Sequence, residues 1–150
     1  AMMMMATWYT MECDAETTPL PKPNGCIDLY GAVNCLTMND APSAYDHMAP
    51  HSKATNYLGF CPPENPEECE RRMPFHYIHQ DTVMPPVLMM HGSKDRTMPF
   101  TQSLELYRHI KAMGKRVEFY KVKNADHGGN VFYCAATIQA ILDFLNRHLV

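Results

Sequence analysis

The sequence has no long hydrophobic run, and none of its apolar stretches approaches the roughly 18 residues that a membrane-spanning helix requires. Positive charge is not in excess either. Its 13 Lys and Arg against 16 Asp and Glu leave a formal net charge of −3. The longest basic cluster, Lys111 to Arg116, is broken by Met113 and Gly114, which speaks against a nucleic-acid partner, whose phosphates need clustered cations. No Cys-x-x-Cys occurs among the 6 cysteines, so a zinc ribbon or a dithiol redox motif has no support. His76 and His79 have a His-x-x-His spacing. Without a thiolate or carboxylate pair beside them they read as ordinary residues, and no metal or cofactor is expected. The opening AMMMMATW is apolar but lacks the basic start of a secretory signal and is too short for one. It reads as the middle of a buried helix, with the native N-terminus lying further upstream. No internal repeat is visible.

What remains is ordinary globular composition. With 150 residues, 46% of them hydrophobic and 19% charged, the chain suffices for one modest domain with a core. Cys13, Cys26, Cys35, Cys61, Cys69 and Cys134 are scattered. Cys61 and Cys69 flank the loop CPPENPEEC and could bridge in an oxidising compartment. Free thiols in a reduced cytoplasm fit the scatter better.

The apolar pattern changes along the chain. Cys26 to Tyr30, ended by Gly31, reads as a short strand. Residues 36–86 are rich in Pro, His, Asn and Asp, with short apolar patches, as expected for a cap or lid over a binding site. Tyr57, Phe60 and Tyr77 within it are candidates to line a pocket, though packing is their simpler role. After Pro85-Pro86 the pattern becomes regular. Val87-Leu88-Met89-Met90 suits a parallel strand buried on both faces. Thr101 to Met113 predicts a helix with Leu104, Tyr107, Ile110 and Met113 on one face. Val117 to Val122 alternates like a half-exposed strand, and Ala135 to Leu149 predicts a second amphipathic helix with Ile138, Ile141, Leu142 and Leu145 inward. Strand, helix, strand, helix in this order argues for an α/β fold with right-handed crossovers and a parallel sheet.

Functional groups of such sheets collect beyond the carboxyl ends of the strands. Asp95 lies in the loop after the strand ending near Met90, and His127 lies 32 residues later in the loop after Val122. Adjacent parallel strands would bring both to one rim. There a buried carboxylate can accept a bond from one imidazole nitrogen while the other takes a proton from a nucleophile. Asp126 is read as a loop residue, not as an alternative acid.

The segment from Pro85 to Gly129, with His-Gly-x-x-Asp and then His-Gly-Gly, resembles the closing segment of α/β-hydrolases of the esterase and prolyl-oligopeptidase-like branch. The resemblance implies that Asp95 is the acid and His127 the base of a Ser-Asp-His triad. It also implies that residues 1–150 form one partial domain, the C-terminal part of the hydrolase sheet with flanking helices and a cap-like insertion at about 36–86. The substrate implied is a small-molecule carboxylic ester, with a small acyl or carbohydrate-linked group, and the alternative is a peptide. The departure from the family lies in the nucleophile. Ser43, Ser52, Ser93 and Ser103 are the serines of the chain, and none stands in G-x-S-x-G. An upstream segment of the same polypeptide, or a partner chain, would have to supply it, and the chain alone is expected to be inactive. The competing expectation is a non-catalytic binding or structural module built on the same half-fold.

Overall fold

Four consecutive apolar residues, Val87 to Met90, can be buried together only if both faces of their strand are covered, and this requirement organises the structure. The computed structural model describes residues 23–148; the helix expected at Ala1 to Cys13 and the end of the last one at Leu149 lie outside the described residues. The elements run β1 (Cys26–Leu29), α1 (Lys53–Leu58), α2 (Pro66–Arg71), β2 (Val87–Gly92), α3 (Phe100–Ala112), β3 (Val117–Val122) and α4 (Ala135–His148). β2 is buried at every position and is the middle strand of a three-stranded sheet ordered β1-β2-β3. Both pairings are parallel, with Cys26 beside Val87 on one side and Val87 beside Val117 on the other. This is the α/β sheet with flanking helices that the sequence predicts.

Alternation along β2 sends Val87 and Met89 to one face and Leu88 and Met90 to the other. On the first face they meet Leu106 and Ile110 of α3, together with Cys26, Val33 and Ile78. On the second face Leu88 and Met90 meet Phe132 and Phe144, with Ile141 and Leu145 of α4 beside them. Two of the residues expected inward on α4 therefore face out: Ile138 is 41% and Leu142 46% exposed. The helix turns its stripe so that Phe144, with far more apolar area to bury, takes the central position at 0% exposure. In α3 the inward face likewise includes Gln102 and Ser103, both fully buried. Gln102 is satisfied there, since its Oε1 accepts from the N–H groups of Val33 (3.2 Å) and Asn34 (2.8 Å) and its amide donates to Thr37 Oγ1 (3.0 Å).

Residues 36–86 contain α1, α2 and two 3₁₀ turns, packed around a small cluster of Leu58, Cys69 and Met73. Ser52 caps α1 by accepting from Thr55 N–H at 3.0 Å, and Asn65 caps α2 by accepting from Glu68 N–H at 3.2 Å. Cys61 and Cys69 are both free thiols. Among the described residues no group of three or more His, Cys, Asp or Glu side chains could hold a metal ion, His76 and His79 included.

Asp28 on β1 is a poorly compensated buried carboxyl. Burial pushes its carboxyl up to about 6, although the Gly31 backbone N–H donates to it, and Oδ2 has no hydrogen-bond partner. A carboxyl raised on folding stabilises below its unfolded value and loses that contribution as pH rises through about 6. Asp28→Asn should therefore raise stability at pH 8 by about 1–3 kcal/mol, with the gain shrinking on acidification below 6. Urea denaturation at a series of pH values measures the difference; a gain independent of pH would contradict the assignment.

Candidate active site

β2 and β3 end side by side, and the two loops that leave them are tied together before any functional group is reached. A Cβ at Gly92 would stand 2.5 Å from the carbonyl oxygens of both Ala125 and Asp126, so only glycine lets the loops approach this closely. Ser93 N–H donates to Val122 O (2.9 Å), Lys94 N–H to Ala125 O (2.9 Å), and Asn124 N–H to Ser93 Oγ (2.8 Å).

On this platform Asp95 is only 7% exposed. Its Oδ1 accepts from the backbone N–H groups of Thr97 and Met98, each at 2.8 Å. Its Oδ2 accepts from His127 Nδ1 at 2.8 Å and lies 3.1 Å from His91 Nε2. Four donors thus converge on the two oxygens of this buried carboxylate, so neither is left without a partner. The structure brings together the two residues that the sequence analysis singled out. It adds a third, His91, which the sequence presents only as the first residue of a His-Gly turn.

His91 is fully buried. Its Nε2 faces two pure acceptors, Asp95 Oδ2 and Met98 O (2.9 Å), and must carry the hydrogen; Nδ1 then accepts from Ser103 Oγ at 2.6 Å. Burial pushes its pKa down, against the pull of Met98 O and Asp95, so the ring is neutral. Ser103, His91 and Asp95 form a hydroxyl-imidazole-carboxylate chain, but Ser103 and His91 are sealed from solvent. This chain braces Asp95 and is closed to solvent.

His127 is held by its backbone as well as its ring. Asp126 Oδ1 accepts from the N–H groups of His127 and Arg96, each at 2.9 Å, and its Oδ2 accepts from Arg96 Nε at 2.6 Å. Asp126 thus clamps the loop carrying the acid to the loop carrying the histidine. Its carboxylate binds backbone groups and a guanidinium, and the imidazole nitrogen is bound by Asp95. With Nδ1 engaged, Nε2 is the nitrogen of His127 left to exchange a proton.

His127 lines a cavity of about 480 Å³ whose other walls include Met38, Tyr45, His47, Tyr57 and Met98. Of the aromatic candidates, Tyr57 reaches this cavity; Phe60 packs on the cluster around Leu58, and Tyr77 on the main core. The four serines are all committed elsewhere. Ser43 Oγ donates towards Arg96 O and Thr97 O (3.2 Å each) and lies 3.0 Å from His47 Nε2. Ser52 caps a helix, Ser93 holds Asn124, and Ser103 is buried on His91. None offers its hydroxyl to His127.

The α/β-hydrolase-like BD-FAE family model matches residues 5–110. The chain belongs to the BD-FAE family. Asp95 falls within the matched residues, and His127 lies beyond them. This BD-FAE chain is also similar to the acylamino-acid-releasing enzyme of Rattus norvegicus, 39% identical over 61 residues, which are 41% of this chain and 8% of that protein. Among solved structures, it resembles a truncated carbohydrate esterase from gut microbiota, with a TM-score of 0.66, 21% identity, and coverage of 83% of this chain and 42% of that one. It also resembles an acylaminoacyl peptidase of Pyrococcus horikoshii, with a TM-score of 0.63, 21% identity, and coverage of 85% and 20%. At these identities the structures establish the fold, that of esterases and peptidases of the α/β-hydrolase type. The chain spans less than half the length of each of these proteins.

The Asp126 clamp has a pH signature. The backbone N–H of Arg96, then the Arg96 guanidinium, then the His127 N–H bring the Asp126 carboxyl down to about 2. A carboxyl depressed on folding stabilises above its unfolded value and loses that contribution as pH falls through its folded one. Asp126→Ala should therefore lower the urea midpoint at neutral pH, with the gap to the parent closing between about pH 4 and pH 2. An undiminished gap at pH 2 would show that the clamp is not electrostatic.

Proposed function

We propose that this chain supplies the acid, Asp95, and the base, His127, of a Ser-Asp-His triad in a carboxylic ester hydrolase. The observation that carries the reading is the bond from His127 Nδ1 to a buried Asp95 whose other oxygen is already saturated by two backbone N–H groups. An acid so held fixes the imidazole tautomer and stabilises the imidazolium that forms when Nε2 takes the proton of a nucleophile. The same proton is then returned to the leaving group. The nucleophile comes from an upstream segment of the same polypeptide or from a partner chain, because all four serines here have other partners. Residues 36–86 act as the cap of this partial domain, since Met38, Tyr45, His47 and Tyr57 from that segment form one wall of the cavity beside His127. The apolar character of Met38 and Met98 suits a small acyl group, and the exposed rings of Tyr45 and Tyr57 suit a sugar or aryl alcohol. Cleavage of an acylated peptide is the second reading, favoured by the likeness to the acylamino-acid-releasing enzyme.

Two proteins decide between these readings and a non-catalytic module: the chain alone, and the complete polypeptide with its upstream coding sequence. The complete protein should hydrolyse short acyl esters; the chain alone should hydrolyse none. Asp95→Asn should lower kcat by about 10⁴-fold with the fold intact, and His127→Ala by at least as much. Ester turnover by the complete protein that survives His127→Ala would refute the assignment, and preference for an acyl-peptide over every ester would select the second reading.

A further inference from the structure

Tyr30 follows the last residue of β1 and departs from what its position calls for. Its N–H continues the ladder, donating to Met90 O at 2.8 Å, but its φ is 48°. That left-handed conformation is unfavourable for a residue with a Cβ and is ordinarily filled by Gly or Asn. A bulky aromatic there needs a reason outside the backbone, and the ring contacts supply one. The Tyr30 ring stands edge-on to the imidazole of His127, with centroids 4.6 Å apart and planes at 61°. It stands edge-on also to Phe132, at 4.8 Å and 74°, and Phe132 is fully buried in the core beneath α4. The ring is therefore a wedge between a rigid support and the histidine, and Asp95 holds the same imidazole through Nδ1.

The loop after His127 is shaped to the wedge. Gly128 has a φ of 76°, and a Cβ there would come within 3.4 Å of the Tyr30 hydroxyl. The Tyr133 phenol beside that hydroxyl, with burial, holds its pKa above the ordinary range, so the ring is neutral at any pH at which a histidine serves as base. His127 has a partly exposed side chain and only one ring nitrogen bonded to Asp95. A single hydrogen bond leaves the imidazole free to swing about it. A second, lateral contact is what fixes the plane of the ring.

We infer that Tyr30 is a positioning residue for His127: its ring, braced on Phe132, fixes the imidazole plane and shields the Nδ1–H···Oδ2 bond to Asp95 from water. The kinetic consequence rests on the hydrolase reading proposed above; the spectroscopic one does not. Tyr30→Gly and Tyr30→Asn remove the ring while giving the turn residues at home in a left-handed conformation, so a mere turn former would be replaced without loss. The expected result is a His127 Nδ1–H that exchanges with solvent roughly tenfold faster or more in both variants, read by proton NMR. In the complete enzyme, kcat should fall by about 10–100-fold with KM within about twofold. Tyr30→Phe, which keeps the ring, should restore both. Parent-like exchange and kcat in the Gly and Asn variants, or a Phe variant as impaired as they are, would overturn the inference. If the parent enzyme turns over no ester, the hydrolase reading fails, and the exchange measurement still decides the role of Tyr30.

Discussion

A carboxylate withdrawn from water must be compensated by donors fixed in place, and the arrangement of this chain follows from how that is done for Asp95. Two donors are backbone N–H groups of its own turn, Thr97 and Met98. Two are imidazoles, one fully buried and one facing a cavity. The buried one, His91, is the penultimate residue of the central strand and is fixed from behind by Ser103 of α3. The core strand, the helix that follows it and the acid loop are thereby one unit. The position of Asp95 is set by the sheet and not by loop chemistry alone. His127 then has one place in which its Nδ1 proton can be accepted.

Several of the strained or closely packed positions of the structure surround this interaction. Gly92 admits the two loops to each other, Asp126 pins the backbone of His127 to Arg96, and Tyr30 accepts an unfavourable backbone conformation to lay its ring on the imidazole. Such concentrations of local cost are expected where geometry has to be held for a purpose other than stability. Burial of Asp95 also strengthens the hydrogen bond it accepts from His127, since such bonds are stronger in a low dielectric.

Much of this was legible in the sequence, and what was not has definite causes. The three strands announce themselves through apolar runs bounded by Gly, Pro and Asn. The parallel order follows from the intervening helix, and Asp95 and His127 follow from their equivalent places beyond two strand ends. The inward faces of the helices were only partly legible. Periodicity ranks residues by apolarity, but α4 is oriented by the size of Phe144, and α3 buries Gln102 and Ser103 because their partners, Val33, Asn34 and His91, lie far away in sequence. His91 was hidden because a histidine before glycine reads as part of a turn, and its role exists only once its strand is central. Tyr30 was hidden because an aromatic at a strand end looks like packing; its left-handed φ and its contact with His127 are tertiary facts. Asp126 reads from the sequence as a loop residue, and no local pattern shows that its partner is Arg96.

The tautomer of His127 tests most directly whether Asp95 governs it. Free neutral imidazole in a protein can carry its hydrogen on either nitrogen, and the partner of one decides the other. Nitrogen-15 NMR of the imidazole at neutral pH should show Nδ1 protonated and Nε2 bare, the form able to accept a proton from a nucleophile. A ring protonated at Nε2 alone would contradict the proposed role of Asp95 and, with it, the assignment of His127 as the base.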